Sequence, residues 1–316
     1  MSEFVYPVHI FSLDKEFLFR EFKNKHHKAM SKVIFNENWV SFEYFINNLI
    51  TELSIDGIDS LKLSAFDKFY IMLCMRAYCI GSTISFNTEV YDEEGEDKSK
   101  VAIPININDF ISNTINFEID STFVIQDDFI KLKGTLPKRF YFEDDIFNLA
   151  SDCVNEIIFK DKKIDLTGLD LEDKKKVMTS LPSFAFPRIV EYLQKQDKKT
   201  KGKPLFTIQT ELQLPFDKTF DMNLFDGSMA EIIKMIYNME LGEFYQNEYV
   251  LMRKFKFGYE SIINSTPGEL SLMYEIINKD LEKEKKDMDQ QQQSPGDMSI
   301  PQPQPPSNVP AELPGM

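Results

Sequence analysis

Residues 64–81 read SAFDKFYIMLCMRAYCIG and form the most apolar segment of the chain. Ser64 is suited to cap a helix, Asp67 completes a variant of the capping box, and Gly81 is suited to follow the last helical turn. Almost every position between these signals is apolar, which predicts a central helix that is buried on all sides. Because a buried unpaired charge is costly, we expect Arg76, in the middle of this helix, to have a carboxylate partner.

The flanking segments predict further helices and a few short strands. Residues 39–53 repeat apolar side chains at helical spacing. Residues 83–137 look like strands. A β-hairpin with a solvated turn is predicted there, with ISFNTEVY and VAIPINI as its two strands and the acidic run DEEGEDKSK as its turn. Residues 138–215 mix helices with short strands, and residues 216–286 have helical periodicity.

Two lysine-rich segments interrupt the acidic chain. Residues 23–32 contain His26 and His27, and we expect protonation of this pair to add to a positive surface. Residues 195–204, KQDKKTKGKP, predict a basic, polar loop. A solvated loop is the simpler interpretation of this second segment, and contact with an acidic partner is the alternative.

Charge and cysteine content exclude several classes of protein. The 316 residues carry a formal net charge of −15, which argues against a dedicated nucleic-acid binder or a protein held on anionic lipid. The three cysteines, Cys74, Cys79 and Cys153, have no zinc spacing and predict free, buried thiols in a reducing compartment. No signal peptide or apolar run of membrane-spanning length is recognisable, so we expect a soluble intracellular protein.

No pattern in the sequence indicates catalysis. All three histidines lie in the first 27 residues, and the sequence contains no metalloprotease, nucleophile-elbow, phosphate-loop or dinucleotide motif. We therefore predict a protein without enzymatic activity, catalytic residues, metal or cofactor. An enzyme with an unmarked pair of carboxylates stays open as an alternative, because carboxylates are plentiful.

These patterns predict an α+β fold that is mostly helical. Residues 1–137 would form a helical part with a central β-hairpin or small antiparallel sheet, and residues 138–286 a mixed and then helical C-terminal part. Residues 287–316 are rich in Pro and Gln and predict a disordered tail.

Two segments resemble one family. They are LSAFDKFYIMLCMRAYCIGSTISF and LGEFYQNEYVLMRKFKFGYESIINSTPGELSLMYEIINKDLEKE, and both are similar to the baseplate hub subunits and hub-assembly proteins of T-even-type contractile-tailed phages. The resemblance spans residues 35–286 and leaves the Pro/Gln tail without a counterpart.

The resemblance implies a structural protein of phage tail morphogenesis. Its partners would be other tail proteins, namely the baseplate hub and the tape-measure protein, with no nucleic acid and no membrane. It would act in the host cytoplasm during assembly, and the sequence leaves open whether it remains in the virion baseplate, in how many copies, and in which oligomeric state. Aromatic residues and Met are typical anchors of interfaces, and we predict an interface at Phe244, Tyr245, Tyr249 and Met252. A DNA-associated phage factor is a further alternative, if residues 23–32 and 195–203 form one basic face.

Overall fold

The structure, a computed structural model, describes residues 4–91, 98–140, 145–160, 162–208, 218–237 and 241–292. The turn expected at residues 92–97 and the Pro/Gln-rich residues after 292 lie outside these ranges. The chain divides into two compact units, Met1–Leu270 and Ser271–Met316. The boundary expected between residues 137 and 138 stays a prediction.

Helices make up most of the regular structure in the described residues. The last one ends at Gln292, so it includes the start of the segment, from residue 287, for which the sequence predicted a disordered tail. The helices are α1 (Asn24–Phe35), α2 (Trp39–Leu53), α3 (Ala65–Cys79), α4 (Ile107–Asn116), α5 (Ile146–Cys153), α6 (Leu171–Thr179), α7 (Ala185–Thr200), α8 (Ser228–Tyr237), α9 (Leu241–Arg253), α10 (Tyr259–Asn264) and α11 (Pro267–Gln292).

The strands form small antiparallel sheets. They are β1 (Val5–Ile10), β2 (Lys15–Arg20), β3 (Thr83–Tyr91), β4 (Lys98–Asn106), β5 (Thr122–Gln126), β6 (Ile130–Thr135), β7 (Val154–Phe159), β8 (Lys162–Asp165), β9 (Pro204–Ile208) and β10 (Lys218–Asp221). Strands β1–β2, β3–β4 and β9–β10 pair in twos, and β5-β6-β7-β8 form a four-stranded sheet in sequence order. This mixture confirms the α+β fold, with a mostly helical chain and a helical C-terminal part.

Helix α3 is the centre of the larger core. The Ser64 hydroxyl accepts the Asp67 N–H and the Asp67 carboxylate accepts the Ser64 N–H, both at 3.1 Å, which confirms the capping box. The other carboxylate oxygen of Asp67 accepts the Ser12 N–H at 3.1 Å and so holds the β1–β2 turn against the helix. Thirteen of the fifteen residues of α3 are buried, as the sequence predicted. Gly81 has a φ of 133°, a conformation that side chains disfavour, and it follows the helix as expected.

Two hydrophobic clusters lie in the first unit. The larger one surrounds α3, which packs against α2, α4, α8 and β1. The smaller one lies between the four-stranded sheet and helices α5 and α7. Cys74 and Cys79 belong to the first cluster and Cys153 to the second, and all three are free and buried, as predicted.

The expected carboxylate partner of Arg76 is absent from the described residues, and carbonyl oxygens take its place. The Nε atom donates to the Ile236 carbonyl at 2.9 Å, and the two Nη atoms donate to the carbonyls of Gly81 and Thr83. Backbone carbonyls at a helix end carry partial negative charge and need donors, so they can satisfy a guanidinium. The prediction of an ion pair was therefore wrong.

Two further expectations were wrong for local reasons. Residues 107–116 form helix α4 rather than a strand, because the Asn106 side chain caps it by accepting the Asn108 N–H at 3.0 Å. The basic segment at 195–204 is helical as far as Thr200, where α7 ends. Lys195 and Lys199 of that helix pair with Asp120 at 3.0 and 3.2 Å.

Five buried or part-buried charged residues hold the segment Leu136–Phe140, between β6 and α5. We call Glu43, Lys68, Lys138, Asp152 and Lys174 the buried charge cluster. The Glu43 carboxylate accepts the Phe140 N–H at 2.6 Å, the Asp152 carboxylate accepts the Lys138 N–H at 2.6 Å, and the Lys68 ammonium donates to the Lys138 carbonyl at 2.8 Å. Because Leu136 and Phe140 belong to the larger hydrophobic cluster and Cys153 to the smaller one, these charges fasten the two clusters together.

Candidate protein interface

Helix α9 has a buried face and an exposed face. Phe244, Glu248 and Leu251 are buried, whereas Tyr245, Tyr249 and Met252 are 52%, 58% and 37% exposed. We call these three exposed residues the α9 outer face. The structure thus places three of the four predicted interface residues on the surface and the fourth, Phe244, in the interior. Whether the outer face binds a partner stays a prediction.

An ion pair beneath the outer face fixes its position. The Lys28 ammonium of α1 contacts both carboxylate oxygens of Glu248 at 2.7 and 2.8 Å. Burial by itself would lower the pKa of Lys28, and the hydrogen bond and charge of Glu248 reverse this effect and raise it. The same ammonium lies 4.5 Å from the ring centre of Tyr245 and 5.9 Å from that of Tyr259. Cation–π attraction at this range helps to orient both rings.

The neighbouring histidine pair is buried rather than exposed. His27 contacts the Tyr237 carbonyl through Nε2 at 3.2 Å, and its ring lies edge-on to Phe244 with 5.0 Å between centres. Burial lowers the pKa of His27 to about 4, and burial also lowers the pKa of His26 despite its contact with Glu52. The expectation that this pair would add positive charge to the surface was therefore wrong. The missed signal is the aromatic Phe22 beside the pair, whose ring lies 5.9 Å from that of His27.

Exposed cations follow the outer face at the end of α9. Arg253, Lys254 and Lys256 are exposed, and within the described part of the chain none of them pairs with a carboxylate. Lys256 has a φ of 59° and reverses the chain, and the Phe257 N–H then donates to the Leu251 carbonyl at 3.1 Å. We call these three residues the α9 basic corner. The sequence contains the run RKFK, whose exposure was not foreseen.

A second exposed apolar patch lies on the first two helices. Phe35, Val40 and Tyr44 are 74%, 79% and 69% exposed, and Val40 and Tyr44 are one helical turn apart. The exposure of these three residues was not predicted. A signal was present, because Val40 and Tyr44 fall outside the apolar face of residues 39–53 that packs inward.

The described residues contain no group of three His, Cys, Asp or Glu arranged to hold a metal ion. In the same part of the chain, no helix is both long enough and apolar enough to cross a membrane. A shallow pocket beside the start of α3 is lined by Ala65, Phe66, Leu136, Pro137, Leu224, Phe225 and Met229. None of these seven side chains titrates.

Comparison with known proteins identifies a family. A family model described as T4 bacteriophage base plate protein matches residues 1–205. No curated protein and no solved structure matches the chain significantly. The match includes α3, both strands of the central hairpin and the buried charge cluster, and it spans more than half of the 316 residues. The chain therefore belongs to the T4 bacteriophage base plate protein family.

Proposed function

We propose that this protein is a baseplate hub subunit or a hub-assembly chaperone that acts through protein–protein contacts and catalyses no reaction. Its direct partners are the hub or tape-measure protein of the same phage. It meets them in the host cytoplasm during tail assembly. Membership of a base plate family supports a structural role, and the finer assignment is our own.

The observation on which this proposal depends is the α9 outer face. Tyr245, Tyr249 and Met252 are residue types enriched in interface cores. The Lys28–Glu248 pair lies under them with both residues mostly buried, so the face is held in place before any partner arrives. A preorganised surface loses less conformational entropy on binding than a mobile one. This face lies outside the matched residues 1–205, so the proposal for it depends on the structure of this chain and not on the family match.

Co-expression with the hub and tape-measure proteins of the same phage tests the proposal. We expect one of them to co-purify with this chain in a complex that survives size-exclusion chromatography, and we expect phage lacking the gene to assemble no normal tails. Normal tails without this chain would refute the proposed function.

A matched pair of variants assigns the contact to the outer face. The variant Tyr245→Ser, Tyr249→Ser, Met252→Ser removes the apolar anchors. The control variant Val124→Ser, Phe129→Ser, Ile164→Ser removes three exposed apolar side chains from the region of the four-stranded sheet. We expect the first variant to lose the partner and the control to keep it. Equal binding by both variants would show that the contact lies elsewhere.

Neither alternative function gains support from a particular observation. A DNA-associated role would need free cations in residues 23–32, but three of the four lysines there, Lys23, Lys25 and Lys28, pair with Glu21, Glu52 and Glu248. An enzyme with two carboxylates would need Asp or Glu in a pocket, and the pocket beside α3 has an apolar lining.

A further inference from the structure

The α9 basic corner carries three exposed charges that the described part of the protein does not use in ion pairs. The side chains of Arg253, Lys254 and Lys256 make no ion pair within the described ranges. In contrast, Lys195 and Lys199 of the other lysine-rich segment are held by Asp120. Exposed cations without an ion pair in the part of the chain that the structure describes also occur at Lys198, Lys201 and Lys203, so what distinguishes the corner is its position directly after the exposed aromatic residues of α9.

Helix stability explains only part of this arrangement. Cations are favourable near the C-terminus of a helix, which accounts for Arg253 and Lys254. Lys256, however, lies beyond the helix at a φ of 59°, where glycine is the favoured residue. A lysine at this position is locally less favourable than glycine, as are the four other non-glycine residues with a positive φ in the described ranges. Its charge is exposed and remains available to a partner.

The basic corner directly follows an aromatic surface in the sequence. Met252 precedes Arg253 and lies on the same exposed face as Tyr249. Tyr259 at the start of α10 is 48% exposed, and its ring and that of Tyr245 lie within 6 Å of one ammonium, that of Lys28. The two rings therefore belong to one surface, and the three cations follow Met252, the last residue of the α9 outer face, within four positions in the sequence.

Charge complementarity identifies the chemistry of the occupant. We propose that the α9 outer face and basic corner together dock an acidic segment of a second protein, with an aromatic or large apolar residue of that segment packed on Tyr249 and Met252. This inference rests on the proposed function, in which the chain binds other tail proteins, and adds the chemical class of the bound segment. Three cations suit a short acidic segment, whereas the net charge of −15 opposes a long polyanion such as nucleic acid.

Labelled peptides test this docking surface directly. The probe is a fluorescein-labelled peptide of Asp and Glu residues around one Trp and one Phe, and binding is measured by fluorescence anisotropy at low and at physiological ionic strength. A peptide with Lys in place of each acid is the first control. We expect the acidic peptide to bind, the basic peptide not to bind, and added salt to weaken binding.

Charge-reversal variants locate the binding site. The variant Arg253→Glu, Lys254→Glu, Lys256→Glu changes the net charge as much as the control Lys198→Glu, Lys201→Glu, Lys203→Glu, whose residues are also exposed. We expect the first variant to lower the affinity at least about tenfold and the control less than about twofold. Lys256→Gly keeps the backbone conformation and removes one charge, so a loss of affinity in this variant cannot come from misfolding.

Four outcomes of the binding and self-association measurements would overturn the inference. The first two are an equal loss of affinity for the acidic peptide in both charge-reversal variants and no binding of this peptide to the wild type. The third is tighter binding of a single-stranded oligonucleotide than of the peptide. The fourth is self-association of the wild type that the corner variant abolishes and the control variant keeps. The last outcome would identify a second copy of the chain as the occupant. If the corner variant still co-purifies with the hub or tape-measure protein at unchanged affinity, this inference fails and the proposed function stands. If the wild type binds neither protein, the proposed function fails.

Discussion

The buried charge cluster and the α9 basic corner use the same kinds of side chain in opposite ways. Lys68 and Lys174 are almost fully buried. Lys68 donates to the Lys138 carbonyl in the segment that joins the two hydrophobic clusters, and Lys174 donates to the carbonyl and carboxylate oxygens of Asp152 in α5. Arg253, Lys254 and Lys256 are exposed and contact no carboxylate among the described residues. A desolvated charge must be satisfied internally or it destabilises the fold, whereas an exposed charge costs little and stays available to a partner. Stability should therefore respond to changes in the cluster, and binding to changes in the corner.

The largest effect should come from breaking the buried charge cluster. Lys68→Met removes the donor to the Lys138 carbonyl and leaves Glu43 without its nearest cation. We expect the free energy of unfolding to fall by about 3–5 kcal/mol, measured by urea denaturation followed by circular dichroism. The control Lys62→Met replaces an exposed lysine and should change the free energy of unfolding by less than about 0.5 kcal/mol. A loss below about 1 kcal/mol for Lys68→Met would show that the cluster contributes no more than a surface pair does.

The next effect concerns the buried imidazole under α9. The pKa of His27 is lowered to about 4, so between pH 6.5 and 4 the unfolded chain takes up a proton that the folded chain does not. Stability should therefore fall as the pH falls through this window, by about 3 kcal/mol from this group. His27→Gln should flatten the pH dependence of the unfolding midpoint there, whereas His9→Gln, at a partly exposed site, serves as the control. The same slope in His27→Gln and in the wild type would contradict the assignment.

A third change separates two lysines of the same cluster. The Lys138 Nζ atom is buried without a hydrogen-bond partner, and burial lowers its pKa to about 8. Lys138→Met removes this charge and keeps the backbone groups that Asp152 and Lys68 bind. We expect the free energy of unfolding to rise by about 2 kcal/mol at neutral pH.

The pH dependence of the Lys138→Met variant provides its check. Below pH 8 the lysine is charged in both states and its burial cost is fully present, and above pH 10.5 it is neutral in both. The gain in stability should therefore decline between these values. A gain that does not change with pH would come from packing rather than from the removed charge.

The smallest effect on stability should come from the outer face and the corner. Tyr249→Ser and Lys256→Gly alter exposed positions, so we expect unfolding free energies within about 0.5 kcal/mol of the wild type. The same variants should weaken binding to the acidic peptide. If thermal denaturation shows either variant to be strongly destabilised, the contrast between the two regions would be lost.

Features that depend on one or two helical turns were predictable. The capping box at Ser64 and Asp67 and the role of Gly81 involve neighbours in sequence, and the structure confirms them. The periodicity of residues 39–53 likewise predicted α2. The side-chain cap at Asn106 is equally local. Helix α4, which follows it, was nevertheless not predicted, because the apolar residues around Asn106 also fit a strand.

Features that depend on distant residues were not predictable. Arg76 donates to the Ile236 carbonyl, His27 contacts the Tyr237 carbonyl, and Lys28 pairs with the Glu248 carboxylate. In each case the partner lies 160 or more residues further along the sequence. Nothing near His27 in the sequence indicates that α8 and α9 will cover it. The division of the predicted interface residues has the same origin, because the packing of α1 on α9 decides that Phe244 points inward.

The sequence by itself therefore determined the fold class, the central buried helix and its caps, because periodicity and short-range hydrogen bonds are written in neighbouring residues. It also contained the resemblance to base plate proteins that the family match confirmed at the level of the family. Only the tertiary structure decided which charges are buried and which remain free. Burial depends on elements that meet across the whole chain, and the cost of desolvating a charge depends on where those elements place its partners.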